Sequence, residues 1–163
     1  DEISKKLSEI FAAPSNIQQS LINPSFRKAA NDLGIHVVLY EGGEAVRVNK
    51  TAIDIGIQGI KRVMAYLKMI EIEKEDTPIQ TTYIASTKWI RASAAGIFKW
   101  SKRSGDNISK GESLGTVKDP YGLKTSAVIS KQTGFIIGHN NAAVVNQGDP
   151  LFHIGLIDEK TGF

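Results

Sequence analysis

The chain has 163 residues, enough for one sizeable core or two small ones, and its 41% hydrophobic and 23% charged residues are ordinary for a globular protein. Its 20 basic and 17 acidic residues are interspersed, so the net charge of +3 does not indicate a nucleic-acid partner. The absence of cysteine excludes disulfides, thiolate zinc sites and cysteine nucleophiles and fits a reducing cytoplasm, and no apolar stretch reaches the roughly 20 residues of a membrane span.

Two helices are predicted in the first 34 residues. Apolar residues at 4-3-1 spacing indicate an amphipathic helix over residues 2–12, which Pro14 ends. A shorter helix is predicted from Ser25 to Asn31, and Gly34 suits the left-handed position just beyond its end.

A buried strand and a third helix are predicted next. Residues 35–40 form a nearly continuous apolar run rich in β-branched residues, which is typical of a parallel strand covered on both faces. Asn49 or Thr51 can cap the following helix, whose apolar stripe is Ile53, Ile57, Ile60, Met64 and Leu67. One strand cannot make a sheet, so residues 1–73 are predicted to be the terminal portion of an α/β domain whose other strands lie elsewhere. The chain also begins without methionine, which indicates a fragment.

A charged stretch over residues 71–78 is predicted to be a linker, followed by a β domain over residues 79–163. Short β-rich runs lie at residues 83–85, 88–91, 97–100, 126–130, 135–137 and 151–157. Residues 96–98 are echoed by residues 134–136, and residues 108–114 by residues 145–151. Because such self-similarity reports structure, we expect a small all-β barrel with pseudo-twofold symmetry, and an α+β multidomain fold for the chain.

Glu41 is the strongest candidate for catalysis. It ends the predicted strand and precedes Gly42 and Gly43, and ligands in open α/β sheets bind beyond the carboxyl ends of the strands. A carboxylate there can activate a water molecule and return the proton to a leaving group. The alternative is a polar residue that only enters a loop.

The three histidines give no metal site by spacing. Neither His36, His139 nor His153 has a Glu or a second His at a helical or short-loop ligand spacing, whereas a catalytic zinc takes about three protein ligands. We therefore interpret all three as structural or surface residues. No nucleophile elbow, Walker loop or Gly-x-Gly-x-x-Gly motif is present either.

Ordered blocks along the chain resemble a known family. The blocks are residues 27–35, the run LYEGGEAVR at residues 39–47, residues 52–67, residues 89–92 and residues 148–154. Together they are similar to the C-terminal part of the succinylglutamate desuccinylase/aspartoacylase family. The resemblance implies a zinc-dependent deacylase with a carboxypeptidase-like catalytic domain and a C-terminal β domain.

The resemblance also implies roles for particular residues. The family's glutamate general base falls on Glu41, and the intact protein is expected to cleave an amide or ester of a small acyl compound with zinc polarising the carbonyl. Arg27 is a candidate for a substrate carboxylate, with a helix-surface salt bridge as the alternative, and Glu44 and Arg47 are candidates for supporting contacts. The family's His-x-x-Glu motif and later histidine ligand have no counterpart here, so this chain alone is expected to bind no zinc, to be inactive and to form homo-oligomers.

The β half also resembles the biotinyl and lipoyl carrier barrels, which present a modified lysine at a hairpin tip. The expected tip is at residues 119–122, but Lys118 and Lys124 lack the sequence setting of a modified lysine. A carrier or a structural oligomerisation module without catalysis is therefore the alternative function.

Overall fold

A computed structural model describes residues 1–72 and 80–156. The chain divides into two compact units, Asp1–Tyr83 and Ile84–Phe163. The predicted linker lies mostly outside the described residues, so the domain bounds 1–73 and 79–163 stay a prediction. Among the helices of the described ranges, none combines the length and apolarity that crossing a membrane requires.

In its described residues, the first unit contains three helices and a small sheet. α1 spans Glu2–Phe11, α2 spans Phe26–Asp32 and α3 spans Lys50–Tyr66. β1 (Ser15–Ile17) pairs with β2 (Thr82–Ile84). The three predicted helices are thus confirmed.

Side-chain caps begin all three helices. Asp1, Ser25 and Asn49 each accept a hydrogen bond from a backbone N–H of the first turn, at 2.7, 3.1 and 3.0 Å. Such a bond satisfies one of the N–H groups that lack a partner within the helix. The cap of α3 is therefore Asn49 and not Thr51.

α1 packs on α3 where α3 carries a glycine. Phe11 is buried against Gly59, and a Cβ added at Gly59 would lie only 2.5 Å from Phe11 Cζ. Arg62 Nε donates to the carbonyls of Ile10 and Phe11, both at 3.2 Å, and so satisfies free acceptors in the last turn of α1. A small residue at position 59 therefore sets the close approach of the two helices.

Residues 35–40 do not form the predicted buried strand. They are not in a ladder, and most of their apolar side chains are exposed. A strand exists only when a neighbour receives its backbone hydrogen bonds, and the residues that the structure describes supply no such neighbour for this segment. The prediction is therefore wrong here, and the missing sheet neighbours are the physical reason.

Up to residue 156, where its description ends, the second unit contains two four-stranded antiparallel sheets, in the orders β3-β10-β8-β5 and β7-β6-β4-β9. Each of the six predicted β runs overlaps a strand, although residue 157 lies outside the described residues. The strands are β3 (Ser86–Arg91), β4 (Gly96–Trp100), β5 (Asn107–Ile108), β6 (Ser113–Lys118), β7 (Thr125–Ile129), β8 (Gly134–His139), β9 (Val144–Val145) and β10 (Pro150–Leu156).

The predicted pseudo-twofold repeat is confirmed by the sheet topology. Strands β3 to β6 correspond in order to β7 to β10, and exchanging counterparts converts the strand order of one sheet into that of the other. Gly96 pairs with Val145, and its counterpart Gly134 pairs with Ile108. In each repeat, the glycine that begins a strand therefore pairs with the residue that precedes a turn of the other repeat.

Two matched turns repeat the same hydrogen bonds. The Ser109 N–H donates to the Glu112 carboxylate at 2.8 Å, and the Asn146 N–H donates to the Asp149 carboxylate at 2.7 Å. In each turn the residue before the acid is a glycine with positive φ, +88° and +93°, a conformation that disfavours other residues. The echoed sequence thus encodes a turn.

One core lies between the two sheets. Leu114, Leu151 and Phe152 are fully buried, and Phe98 meets Phe152 edge to face with ring centroids 5.8 Å apart. The edge strands of the two sheets do not pair with each other in the described residues, so these residues form two separate sheets and the predicted small all-β barrel is not confirmed. With two residues each, β5 and β9 offer too few ladder bonds to join the sheets.

An ion pair on the second unit links stability to pH. Lys102 Nζ lies 2.6 Å from Glu112 Oε1. The hydrogen bond from Lys102, and next the one from the Ser109 N–H, lower the pKa of the Glu112 carboxyl from its ordinary value of 4.5. A carboxyl with a lowered folded pKa contributes stability that is fully present above pH 4.5 and is lost as the pH falls through the folded pKa.

We expect Glu112→Gln to remove this acid-sensitive contribution. The free energy of unfolding, measured by urea titration from about pH 7 to about pH 3, should differ between wild type and variant at neutral pH and converge in acid. Lys102→Met should act in the same direction because it removes the largest cause of the pKa shift. A difference that stays constant over the whole range would contradict this assignment.

Candidate active site

The segment that follows Tyr40 is attached to the first turns of α3. The Tyr40 hydroxyl donates to the carbonyl of Ala52 at 2.8 Å. At the other end of the segment, the Asn49 side chain accepts from the Ala52 N–H. Residues 41–48, which include Glu41 and the two following glycines, are therefore held between two anchors on the same helix.

The Tyr40 ring fixes the conformation around Glu41. It lies 5.1 Å from the Phe11 ring, and a Cβ added at Gly56 would approach Tyr40 Cε1 to 3.0 Å. A Cβ at Gly42 would overlap the Tyr40 hydroxyl. Burial raises the pKa of the Tyr40 hydroxyl above its ordinary value of 10.0. Glycine at positions 42 and 56 thus leaves the space that this tyrosine occupies.

A cleft of about 420 Å³ lies beside this turn. Gly42 and Gly43 form part of its lining, Glu44 and Arg47 supply charged groups, and apolar residues of α3 form a wall. Glu41 is exposed and is bonded in sequence to two lining residues. The full lining is Tyr40, Gly42, Gly43, Glu44, Arg47, Val48, Asn49, Ala52, Ile53, Gly56, Ile57 and Ile60.

The structure brings together only some of the predicted site residues. Glu44 and Arg47 line the cleft next to the turn that carries Glu41. Arg27 lies in the first turn of α2 and is not part of the lining. Its proposed contact with a substrate carboxylate stays a prediction, as do the supporting roles of Glu44 and Arg47.

Each histidine contacts a residue that is not part of the cleft lining. His36 Nδ1 is 3.2 Å from Asp1 Oδ1, the His139 ring lies 4.6 Å from that of Trp100, and the His153 ring stacks on Trp89 at 4.3 Å. Over residues 1–72 and 80–156, no group of three His, Asp or Glu side chains is arranged to hold a metal ion. A catalytic zinc needs about three converging ligands, so these residues do not fit one by themselves.

Tyr40 and Gly56 are parts of this site that the sequence did not reveal. The available signal was a pair of glycines three residues apart inside α3, Gly56 and Gly59. Glycine lowers helix stability by about 1 kcal/mol relative to alanine, so its presence there marks a close approach by another group. The groups that approach are the rings of Tyr40 and Phe11.

Solved structures of other proteins share the fold of this chain. No family model matches the chain, and no curated protein matches it. A succinylglutamate desuccinylase/aspartoacylase from Rhodobacter sphaeroides matches 97% of this chain and 50% of its own, with 19% identity and a TM-score of 0.82. The product-bound ectoine utilization protein EutE (DoeB) from Ruegeria pomeroyi matches 95% of this chain and 49% of its own, with 17% identity and a TM-score of 0.82.

A succinylglutamate desuccinylase from Silicibacter sp. TM1040 matches 96% of this chain and 49% of its own, with 18% identity and a TM-score of 0.83. The chain thus spans about half the length of the solved structures that it matches. At these identities the likeness is one of fold. It confirms the resemblance at that level: the chain has the fold of the C-terminal half of succinylglutamate desuccinylase/aspartoacylase proteins.

Proposed function

We propose that the intact protein is a hydrolase that cleaves an amide or ester bond of a small acyl compound. The observation that carries this proposal is the match of nearly the whole chain, at TM-scores of 0.82 and 0.83, to proteins named as succinylglutamate desuccinylases or aspartoacylases. The cleft beside the glycine turn supports it, because an enzyme site needs a concave surface with a few polar groups.

In this proposal Glu41 is the general base. Its carboxylate takes a proton from a water molecule, the resulting hydroxide attacks the acyl carbon, and the protonated Glu41 then gives the proton to the leaving amine or alcohol. The support is positional: Glu41 lies between Tyr40 and Gly42, which both line the cleft. Arg47 and Glu44 would orient groups at the rim, and Arg27 would hold a substrate carboxylate.

Zinc dependence is proposed for the intact protein only. The resemblance implies the metal, whereas the described residues do not fit a zinc site by themselves. The ligands would therefore lie outside these residues. The chemistry assigned to this chain is limited to proton transfer and substrate positioning.

The observations support the alternative role as a lysine carrier less well. Lys118 ends β6, and Lys124 donates its N–H to the Asp119 carboxylate across the hairpin turn. This turn satisfies its own backbone groups, and the matched structures with TM-scores above 0.8 are named as deacylases or as an ectoine utilization protein.

The proposed function is tested with the intact protein and a panel of N-acyl amino acids and acyl esters that includes succinylglutamate. We expect release of free amine or alcohol from at least one compound, at a rate far above the uncatalysed rate. Treatment with a chelator should remove the activity, and added zinc should restore it. A folded intact protein that hydrolyses no compound of the panel would overturn the proposal.

A further inference from the structure

β7 leaves one side of its backbone open. It stands first in the strand order β7-β6-β4-β9, and in the part of the chain that the structure describes it pairs only with β6. The residues just before and after β7 bond toward β6. The carbonyl of Lys124 accepts from the Asp119 N–H at 3.0 Å, and the Ser130 N–H donates to the carbonyl of Glu112 at 2.9 Å.

These two bonds fix which residues of β7 point away from β6. Hydrogen bonding alternates along an antiparallel strand, so every second residue bonds to the same neighbour. The even-numbered residues of β7 therefore bond to β6, and the odd-numbered ones present their N–H and C=O groups to the open side. The odd-numbered residues are Thr125, Ala127 and Ile129, and their side chains are exposed as well.

The open side of β7 lacks the protection that other edge strands of this unit have. β5 and β9 contain two residues each, and β3 carries the exposed charges of Lys88 and Arg91. Short length and charged side chains both hinder pairing with a further strand. β7 has five residues, none of them charged and none of them proline. Its open side is therefore a template for another strand.

We propose that β7 pairs antiparallel with β7 of a second copy of this chain, around a twofold axis at Ala127. In this register Thr125 lies opposite Ile129 of the partner subunit, and the two Ala127 residues lie opposite each other. The groups on the two open sides then face each other and form about six backbone hydrogen bonds. The two four-stranded sheets thereby become one continuous sheet.

The sequence of β7 complements itself in this register. Thr125 and Ile129 are both β-branched, and such side chains stabilise a sheet when they lie opposite each other. The methyl group of Ala127 is small enough for the axis, where a twofold interface brings each side chain against its own copy. The strand opposes no like charges because it contains none. An unrelated partner would have to supply its own complementary strand, whereas a second copy always carries one.

Disulfide cross-linking tests this register, because the chain contains no cysteine. Opposed residues of a hydrogen-bonded pair have Cα atoms about 5.5 Å apart, within the roughly 4.4–6.8 Å that a disulfide spans. Ala127→Cys in the 163-residue chain should therefore give a covalent dimer under mild oxidation, measured by non-reducing electrophoresis.

Thr125→Cys is the matched control, since this position is exposed on the same side of the same strand. In the proposed register the two copies of position 125 are offset by four residues, or about 14 Å, which is beyond the reach of a disulfide. We expect Ala127→Cys to cross-link at least about 10-fold faster than Thr125→Cys.

An exchange of charges at the same position provides a second measurement. Ala127→Lys and Ala127→Glu each place like charges opposite each other at the axis, so either variant alone should sediment as a monomer. A mixture of the two variants places opposite charges at the axis and should restore the dimer. The side chain at this position is exposed, so both variants should keep the circular dichroism spectrum of the unmodified chain.

Four results would contradict the proposal. The first is a monomeric unmodified chain at all concentrations up to about 1 mM, the range of weak association. The second is equal cross-linking of Ala127→Cys and Thr125→Cys. The third is a dimer that persists in both charge variants, because association then uses another surface, and the fourth is a mixture that stays monomeric. These measurements do not depend on activity, so their outcome is separate from the proposed function.

Discussion

Replacing Glu41 by Gln in the intact protein is expected to lower turnover by about 100-fold or more, the usual scale for losing a general base. The amide has the size and shape of the carboxylate but cannot accept the proton of the attacking water. Substrate binding should change little, so kcat should fall while KM stays close to its original value. Steady-state kinetics with the best substrate of the panel would measure both.

The control for this variant is Glu2→Gln, which makes the same chemical change at an exposed position in the first turn of α1. Its kinetics should equal those of the unmodified protein. A Glu41→Gln enzyme with near-normal turnover would exclude Glu41 as the base, even if the protein proves to be a deacylase.

The second large effect is expected from Gly134→Ala in β8. A Cβ at this position would lie far inside van der Waals contact with the carbonyl oxygen of Gly155 in the neighbouring strand β10. Relief requires the two strands to separate, which disrupts the central pairing of the sheet. We expect a loss of about 3 kcal/mol in the free energy of unfolding, the upper part of the usual range for overpacking.

Gly138→Ala is a matched control in the same strand, since a Cβ there meets no atom within 4 Å. Both tryptophans, Trp89 and Trp100, belong to the second unit, so tryptophan fluorescence during urea titration reports on that unit. Equal stability of the two variants would show that β8 and β10 are farther apart than the structure places them.

The second unit was predictable because its sequence contains the symmetry of its fold. The echo of residues 108–114 in residues 145–151 predicted two matching turns, which the structure confirms. Three described strands of this unit lie outside the predicted β runs: the two-residue strands β5 and β9, and β6 (Ser113–Lys118), in which Gly115 interrupts the β-rich run. Leu114 is the counterpart of the buried Leu151, so the repeat itself contained the signal for this strand.

The first unit was predictable only in part, because its segments differ in where their partners lie. Helices form from local hydrogen bonds, so spacing and caps were enough to predict α1, α2 and α3. Residues 35–40 require hydrogen bonds from a neighbouring strand, and a single sequence does not show whether that neighbour is present. Closure of the second unit into a barrel likewise depends on edge pairing, which strand patterns do not encode.

The turn after Tyr40 was predictable from the sequence, whereas the catalytic role of Glu41 stays a prediction. The two glycines after Glu41 marked the turn, and the structure places Glu44 and Arg47 in the adjacent cleft. The role of Tyr40 could not be read from the sequence, because its hydrogen bond to Ala52 and its contact with Gly56 join positions 12 and 16 residues away. Such contacts depend on how residues 41–48 run between Tyr40 and α3, and local sequence patterns do not encode that path.

The position of β10 has a consequence for biosynthesis. β10 (Pro150–Leu156) lies between β3 and β8 in its sheet, so the last strand of the described residues is an interior one. On the ribosome, β3 is therefore made before its partner β10. Translation of the residues from Arg91 to Leu156 takes roughly 3–13 s at about 5–20 residues per second. During that interval the nascent β3 has an open edge on which chaperones or other nascent chains can act.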